Sequence, residues 1–254
     1  MPHLTTPPGA TAAAATGAGR PGLGVPGYAH PLLAPVEWAE LTRPGTPLHW
    51  AVLNVTDGPG GRPDPHCSEV AARLRNTGDS GHRLLGHLAM RDGERSFGEL
   101  VSDAHRFRDW YGVGGFYLAD APAGKGELAA VRRVVDTLRG LGDGLRIVLG
   151  HGTHPYEGYA ETADQLVTFA GAWADYRWSQ VAEWTADHPP ELFCHLVHGV
   201  PRTHLEEAVR IACWQGAGTI WFTDRRGAGD RDPWASMPGY WDEIVSRIGT
   251  GVLE

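Results

Sequence analysis

Eight short apolar runs of strand length recur along the chain, most of them followed by an amphipathic stretch of helix length. That alternation limits the fold more than any other feature. The runs are Leu23–Tyr28, Leu48–Asn54, Arg83–Ala89, Val113–Ala119, Leu145–Gly150, Gln165–Phe169, Leu192–His198 and Thr219–Asp224. The helical periodicity falls on Val36–Leu41, His66–Asn76, Phe97–Trp110, Gly126–Arg139, Gly171–Thr185, Arg202–Trp214 and Tyr240–Ile248. Between the fifth and sixth runs there is room for one helical turn at most. Strand-then-helix order sustained over about 230 residues predicts an α/β fold, a single (β/α)8 TIM barrel over 23–254. An open doubly wound sheet would want a glycine-rich phosphate loop after an early strand, and neither GxGxxG nor GxxxxGK[ST] occurs.

Composition narrows the partners. The 254 residues are 42% apolar, enough for a large core, and 22 basic against 30 acidic side chains give a net charge of −8. An acidic balance without basic clusters argues against nucleic acid. No run of about 18 apolar residues is present, so neither a transmembrane helix nor a membrane partner is expected. Residues 1–22 are low-complexity and rich in Ala, Gly, Pro and Thr, which predicts a disordered tail. That tail lacks the basic and apolar regions of a secretory signal, so a cytoplasmic location is expected. Cys67, Cys194 and Cys213 are odd in number and widely spaced, the pattern of buried thiols rather than a disulfide framework. Nothing in the pattern sets the oligomeric state.

In this fold the chemistry sits on the loops that follow the strands. Polar residues that end or closely follow the runs are Tyr28, His30, Asn54, Asp57, His87, Arg91, Asp92, Asp120, His151, His154, His198, Thr223 and Asp224. Tyr156, Trp221 and Trp234 can add aromatic walls. Carboxylates, imidazoles and aromatics together suit a polar, ring-shaped small molecule such as a sugar. No nucleotide or flavin motif is present, and no cofactor is expected. For a metal, the one set that spacing suggests is His151, His154 and Asp120. His195 and His198 would point to opposite sides of a strand. Since 13 histidines make coincidental spacing common, no metal is assigned. Trp110, Trp173, Trp178, Trp184 and Trp214 fall at amphipathic helical positions and are expected to pack helices onto the barrel. Arg132-Arg133 reads as a solvated helix face, and Arg225-Arg226 lies in the loop where barrels often hold phosphate.

Several segments resemble a known family. Val25-Pro-Gly-Tyr28-Ala-His-Pro31 is similar to the opening strand of spherulin-4-like proteins, spherulation-specific family 4. Asn54-Val-Thr-Asp-Gly-Pro-Gly60 resembles their Asn-Pro-x-x-Gly-Pro-Gly loop, and Gly86-His-Leu88 stands where they have Gly-Tyr-Val. Gly114-Gly-Phe-Tyr-Leu-Ala-Asp-Ala-Pro122 resembles Gly-Ile-Phe-Phe-Asp-Glu-x-Pro, and Gly150-His-Gly-Thr153 stands for Asn-Pro-Gly-Thr. Phe222-Thr-Asp224, Asp232-Pro-Trp234 and Pro238-Gly-Tyr-Trp241 match the closing segments. The resemblance implies a TIM barrel related to glycoside hydrolases that cut galactosamine-containing exopolysaccharides through carboxylates at strand ends.

The departures bear on function. The family's Asp-Glu pair ending strand four reads Ala119-Asp120 here, and its Phe-Glu step ending strand six reads Phe169-Ala170. Glycoside hydrolysis normally needs two carboxyl groups, about 5 Å apart for retention and about 6.5–9.5 Å for inversion. Losing one removes several powers of ten in rate, roughly 4 kcal/mol of barrier or more. The inherited mechanism is therefore expected to be lost. Three readings follow. The first is a repurposed enzyme doing acid/base chemistry (hydrolysis, elimination or isomerisation) on a small polar or sugar-like metabolite, with Asp120, His151 and Asp224 as catalytic groups. The second is a non-catalytic carbohydrate-binding pseudoenzyme. The third is a glycosidase using recruited Asp120 and Asp224, about 8–10 Å apart across the barrel mouth.

Overall fold

The computed structural model describes residues 20–76, 84–227 and 232–248. Residues 1–19 of the expected tail (1–22), the start of the third run at Arg83 and the expected end of the barrel over 249–254 lie outside them, whereas Gly22, expected in the tail, opens the first strand. Eight parallel strands close into a barrel in sequence order: β1 (Gly22–Val25), β2 (Leu48–Leu53), β3 (Leu84–Ala89), β4 (Gly115–Ala119), β5 (Arg146–Gly150), β6 (Gln165–Ala172), β7 (Phe193–His198) and β8 (Thr219–Thr223). β1 closes the barrel against β8 through Gly22↔Thr219 and Leu23↔Ile220. The apolar runs are buried on both faces, as parallel strands under helices must be. β1 is shorter than its apolar run because Pro26 has no N–H to give the ladder.

The helices are α1 (Pro35–Glu40), α2 (Pro65–Arg75), α3 (Phe97–Tyr111), α4 (Leu128–Arg139), α5 (Trp173–Tyr176), α6 (Leu205–Trp214) and α7 (Trp241–Ile248). Local sequence explains their ends. Asp64 caps α2 by accepting from the His66 and Cys67 N–H groups, with Pro65 in the first turn. Ser96 and Glu99 form a capping box on α3, and Gly112 ends it in the left-handed region. On α4, Val131, Val134, Val135 and Leu138 form the buried stripe. Among the described residues no helix is long and apolar enough to cross a membrane.

The predicted helix over Gly171–Thr185 does not form. Instead β6 runs on to Ala172, because Gly171 and Ala172 pair with Val197 and His198 of β7. The single α-helical turn of α5 follows, anchored by a 2.8 Å hydrogen bond between the Tyr176 hydroxyl and His195 Nδ1, and a separate 3-10 turn covers Glu183–Asp187. Trp178 thus has no helix face to hide on and is 78% exposed. Trp214, the last residue of α6, is 79% exposed, so these two tryptophans do not pack onto the barrel as expected. Trp173 does, and is buried. Cys67 and Cys194 are buried thiols, whereas Cys213, beside Trp214, is exposed. Arg132 and Arg133 are not simply solvated: Arg132 donates to the Gly158 carbonyl, and the Arg133 guanidinium lies over the Phe97 ring.

The N-terminal end of the barrel is plugged by a buried polar cluster. Trp50 Nε1 donates to Gln165 Oε1 (2.6 Å), and Gln165 Nε2 donates to Thr219 Oγ1 and the Glu191 carbonyl (2.8 Å each). Above it Tyr117 packs against Trp50, with ring centroids 5.7 Å apart.

Candidate functional site

A cavity of about 600 Å³ opens at the C-terminal ends of the strands. Tyr28 and His30 come from the loop after β1, Asn54 and Asp57 from that after β2, and His87 from β3. β4 supplies Tyr117, Ala119 and Asp120; β5 leads into His151; β6 and β7 give Ala170 and Leu196. Asp232 and Trp234 come from the long loop after β8. Gly150 is part of the wall for a steric reason. A β-carbon there would lie 2.7 Å from the Tyr117 hydroxyl, so glycine makes room for the tyrosine.

Backbone geometry sets the rim. Asp57 and Asp120 sit at φ 54° and 49°, a left-handed conformation that Asp tolerates better than most residues. Asp120 is held there from outside: its carbonyl accepts from Asp92 N–H at 2.9 Å, and Asp92 is itself at φ 53°. Asn54 Oδ1 accepts from Gly58 N–H and shapes the loop that carries Asp57. The β1 and β8 loops are tied by Ala29 N–H to the Ala235 carbonyl, and Asp232 Oδ1 accepts from Trp234 N–H.

The rim carries charge while the walls stay neutral. Asp57 pairs with Arg91 at 2.8 Å, and its other oxygen lies 4.0 Å from His87 Nδ1. Burial lowers the His87 pKa despite the pull of Asp57 and Asp120, which favour its protonated form. Burial also takes His151 down to about 4, and its Nδ1 makes a 3.1 Å hydrogen bond with the Ala121 carbonyl. With Nδ1 donating, His151 is a neutral imidazole whose Nε2 is a free base. Tyr28 is buried edge-on against Trp38 and Trp221, and burial raises its pKa well above 10. The Tyr28 hydroxyl, His87 Nδ1 and His151 Nε2 are buried without a protein hydrogen-bond partner. Such groups call for water or a polar ligand.

Of the residues expected at the site, Tyr28, His30, Asn54, Asp57, His87, Asp120, His151 and Trp234 line the cavity together. The others do not. The Asp224 carboxylate accepts from Gly239 N–H at 2.9 Å and lies 3.9 Å from Arg225, away from the cavity wall. Asp92 lines a separate hollow beside α3 and α4. Tyr156 sits on the outer surface under the Lys125 ammonium. Trp221 is fully buried behind Tyr28, and His198 lies behind Trp234, their ring centroids 5.7 Å apart. His154 is half-buried outside the lining, with no partner on Nε2. His195 and His198 do diverge, the first toward Tyr176 and the second toward Trp234. Arg225 is taken up by the Met237 carbonyl. His151, His154 and Asp120 make no ligand cluster; among the described residues the grouping with metal-ligand spacing is His30, Asp64 and Cys67. Tyr117 and Asp232 were not anticipated, although Tyr117 lies two residues before Ala119 and so shares its face of β4.

The two buried imidazoles give the fold a pH dependence. The folded pKa is about 4 for His151 and about 3 for His195, in both cases lowered by burial from a free value near 6.5. A lowered histidine pKa means the unfolded chain takes the proton first. Stability is thus fully present above about pH 6.5 and is lost as pH falls below it, by up to about 1.4 kcal/mol per pH unit for each group. The melting temperature is expected to drop between pH 7 and pH 5, and to drop less in His151→Gln. An unchanged midpoint across that window would contradict the burial of these rings.

The model of spherulation-specific family 4 matches residues 23–248. Among solved structures, Sph3 of Aspergillus clavatus, determined in complex with GalNAc, superposes with a TM-score of 0.78 at 25% identity. The match covers 91% of this chain and 98% of that one. No curated protein sequence matches. With the family model spanning nearly the whole barrel, β1 through α7, the chain belongs to spherulation-specific family 4.

Proposed function

We propose that the barrel mouth binds a sugar, most simply an N-acetylhexosamine, without cleaving glycosidic bonds by the two-carboxylate route. The observation that carries this is the wall itself: Ala119 and Ala170 line the cavity at the positions where the family resemblance places carboxylates, while the polar and aromatic lining persists. Trp234 offers an aromatic surface for sugar C–H groups, and the orphaned polar atoms of Tyr28, His87 and His151 offer partners for hydroxyls. Asp57, Asp120 and Asp232 on the rim favour neutral or cationic amino sugars over anionic ones.

The test is calorimetry with N-acetylgalactosamine and its α-linked oligosaccharides, alongside mass spectrometry of the same mixtures. Binding without product is expected, and Trp234→Ala should weaken it roughly fivefold, about 1 kcal/mol. Absence of binding would remove the sugar reading. Product formed by the wild type and not by Asp120→Asn would replace it with an active enzyme. The acid/base-enzyme reading has its own support in His151, a neutral base in a cavity that also contains Asp120. It requires product from a small sugar-like metabolite rather than from an oligosaccharide.

A further inference from the structure

Beside the cavity, the loop after β1 meets the start of α2. We propose that His30, Asp64 and Cys67 there form a binding site for a zinc-class divalent ion. His30, Asp64 and Cys67 supply one imidazole nitrogen, one carboxylate oxygen and one thiol sulfur, all within 4.8 Å of one another. The His30 Nε2 to Asp64 Oδ2 separation is 3.3 Å. Two ligands about 2.0–2.1 Å from a tetrahedral ion lie about 3.3–3.4 Å apart, so this pair already spans one edge of the coordination shell.

The carboxylate is preoriented. Asp64 Oδ1 accepts from the His66 and Cys67 N–H groups at 2.9 and 3.0 Å, which fixes the group and leaves Oδ2 for the ion. Cys67 stands in the first turn of α2, where burial and the adjacent Asp64 carboxylate push its thiol up to about 12, so the proton stays on sulfur until an ion displaces it. The ligand set selects the ion: thiolate plus imidazole suits zinc or cobalt and disfavours magnesium and calcium. His30 also lines the cavity, which gives the ion a route from solvent.

Loading is a proton-releasing exchange. The ion binds the Cys67 sulfur, and the thiol proton leaves to solvent. The His30 ring proton, held on Nε2 while Nδ1 accepts from Leu32 N–H at 3.3 Å, relocates to Nδ1 and that long contact is given up. Three protein ligands leave a fourth position for water. The site stands independently of what the cavity binds.

Cobalt(II) is the probe, added to the metal-free full chain under reducing conditions. One equivalent should produce a sulfur-to-cobalt charge-transfer band in the near ultraviolet and tetrahedral visible bands, both reversed by zinc. Cys67→Ser should abolish the charge-transfer band, and Cys213→Ser, which removes the exposed thiol, should leave it unchanged. Asp64→Asn keeps a good helix cap and should weaken binding about tenfold or more. Should Cys67→Ser unfold by circular dichroism, Asp64→Asn and His30→Gln decide the matter. No charge-transfer band in the wild type, a band lost with Cys213→Ser instead, or unchanged affinity in both Asp64→Asn and His30→Gln would leave an ordinary His–Asp pair beside a buried thiol.

Discussion

Restoring the missing carboxylates, as Ala119→Asp, Asp120→Glu and Ala170→Glu together, is expected to raise cleavage of α-linked N-acetylgalactosamine oligosaccharides by roughly 10²–10⁴-fold. The room for it exists. Ala119 and Ala170 both line the cavity, and Ala170 is exposed, so longer side chains there meet solvent rather than packed core. Two carboxyl groups facing one bound sugar are the minimum for protonating the leaving oxygen and attacking the anomeric carbon. Product is read by mass spectrometry, with each single substitution as a control that should stay near background. A restored variant that binds the oligosaccharide as the wild type does yet releases no product would shift the blame from the missing carboxylates to the rim loops.

At the other end of the barrel, Gln165→Leu is expected to lower stability by about 3–4 kcal/mol and the melting temperature by roughly 10 °C. Trp50, Gln165 and Thr219 are all fully buried, and the amide joins the indole N–H, the Thr219 hydroxyl and the Glu191 carbonyl. Leucine has similar bulk but leaves the indole donor and the carbonyl without partners, each worth about 1–3 kcal/mol when buried. Adding Trp50→Phe removes the stranded donor, so the double variant should lose clearly less than the sum of the singles. Urea denaturation checks both. A loss under about 1 kcal/mol for Gln165→Leu would mean that water already serves these groups.

The barrel was legible because both of its periodicities are written locally. Ile147, Val148 and Leu149 read as a strand buried on both faces, and Val131, Val134, Val135 and Leu138 read as one helical stripe. The misread segment was Gly171–Thr185. There the aromatic spacing is helical, but the backbone of Gly171 and Ala172 finds its partners in β7, a contact remote in sequence. Exposure of Trp178 follows from the same tertiary choice, whereas Trp214 is exposed as the last residue of α6. At the site, residues at or just beyond strand ends, such as Asn54, Asp120 and His151, reached the cavity as position alone suggested. Asp224 did not, since the nearby Gly239 N–H and Arg225 claim its carboxylate. Asp232 was missed because it enters from far along the β8 loop. The His30, Asp64 and Cys67 grouping joins two elements, which no spacing rule within one segment would find.

Because β1 pairs with both β2 and β8, the order of synthesis matters to how this protein is made. β1 is the first strand to leave the ribosome, and β8 is the last. Until Thr219–Thr223 emerges, one edge of β1 is an unpaired row of backbone donors and acceptors on a growing, open sheet. The nascent chain therefore carries that open edge from the emergence of β1 until β8 is out, and the barrel closes only then. Slowing elongation can help the helices settle onto their strands, but it lengthens the time that edge stays open.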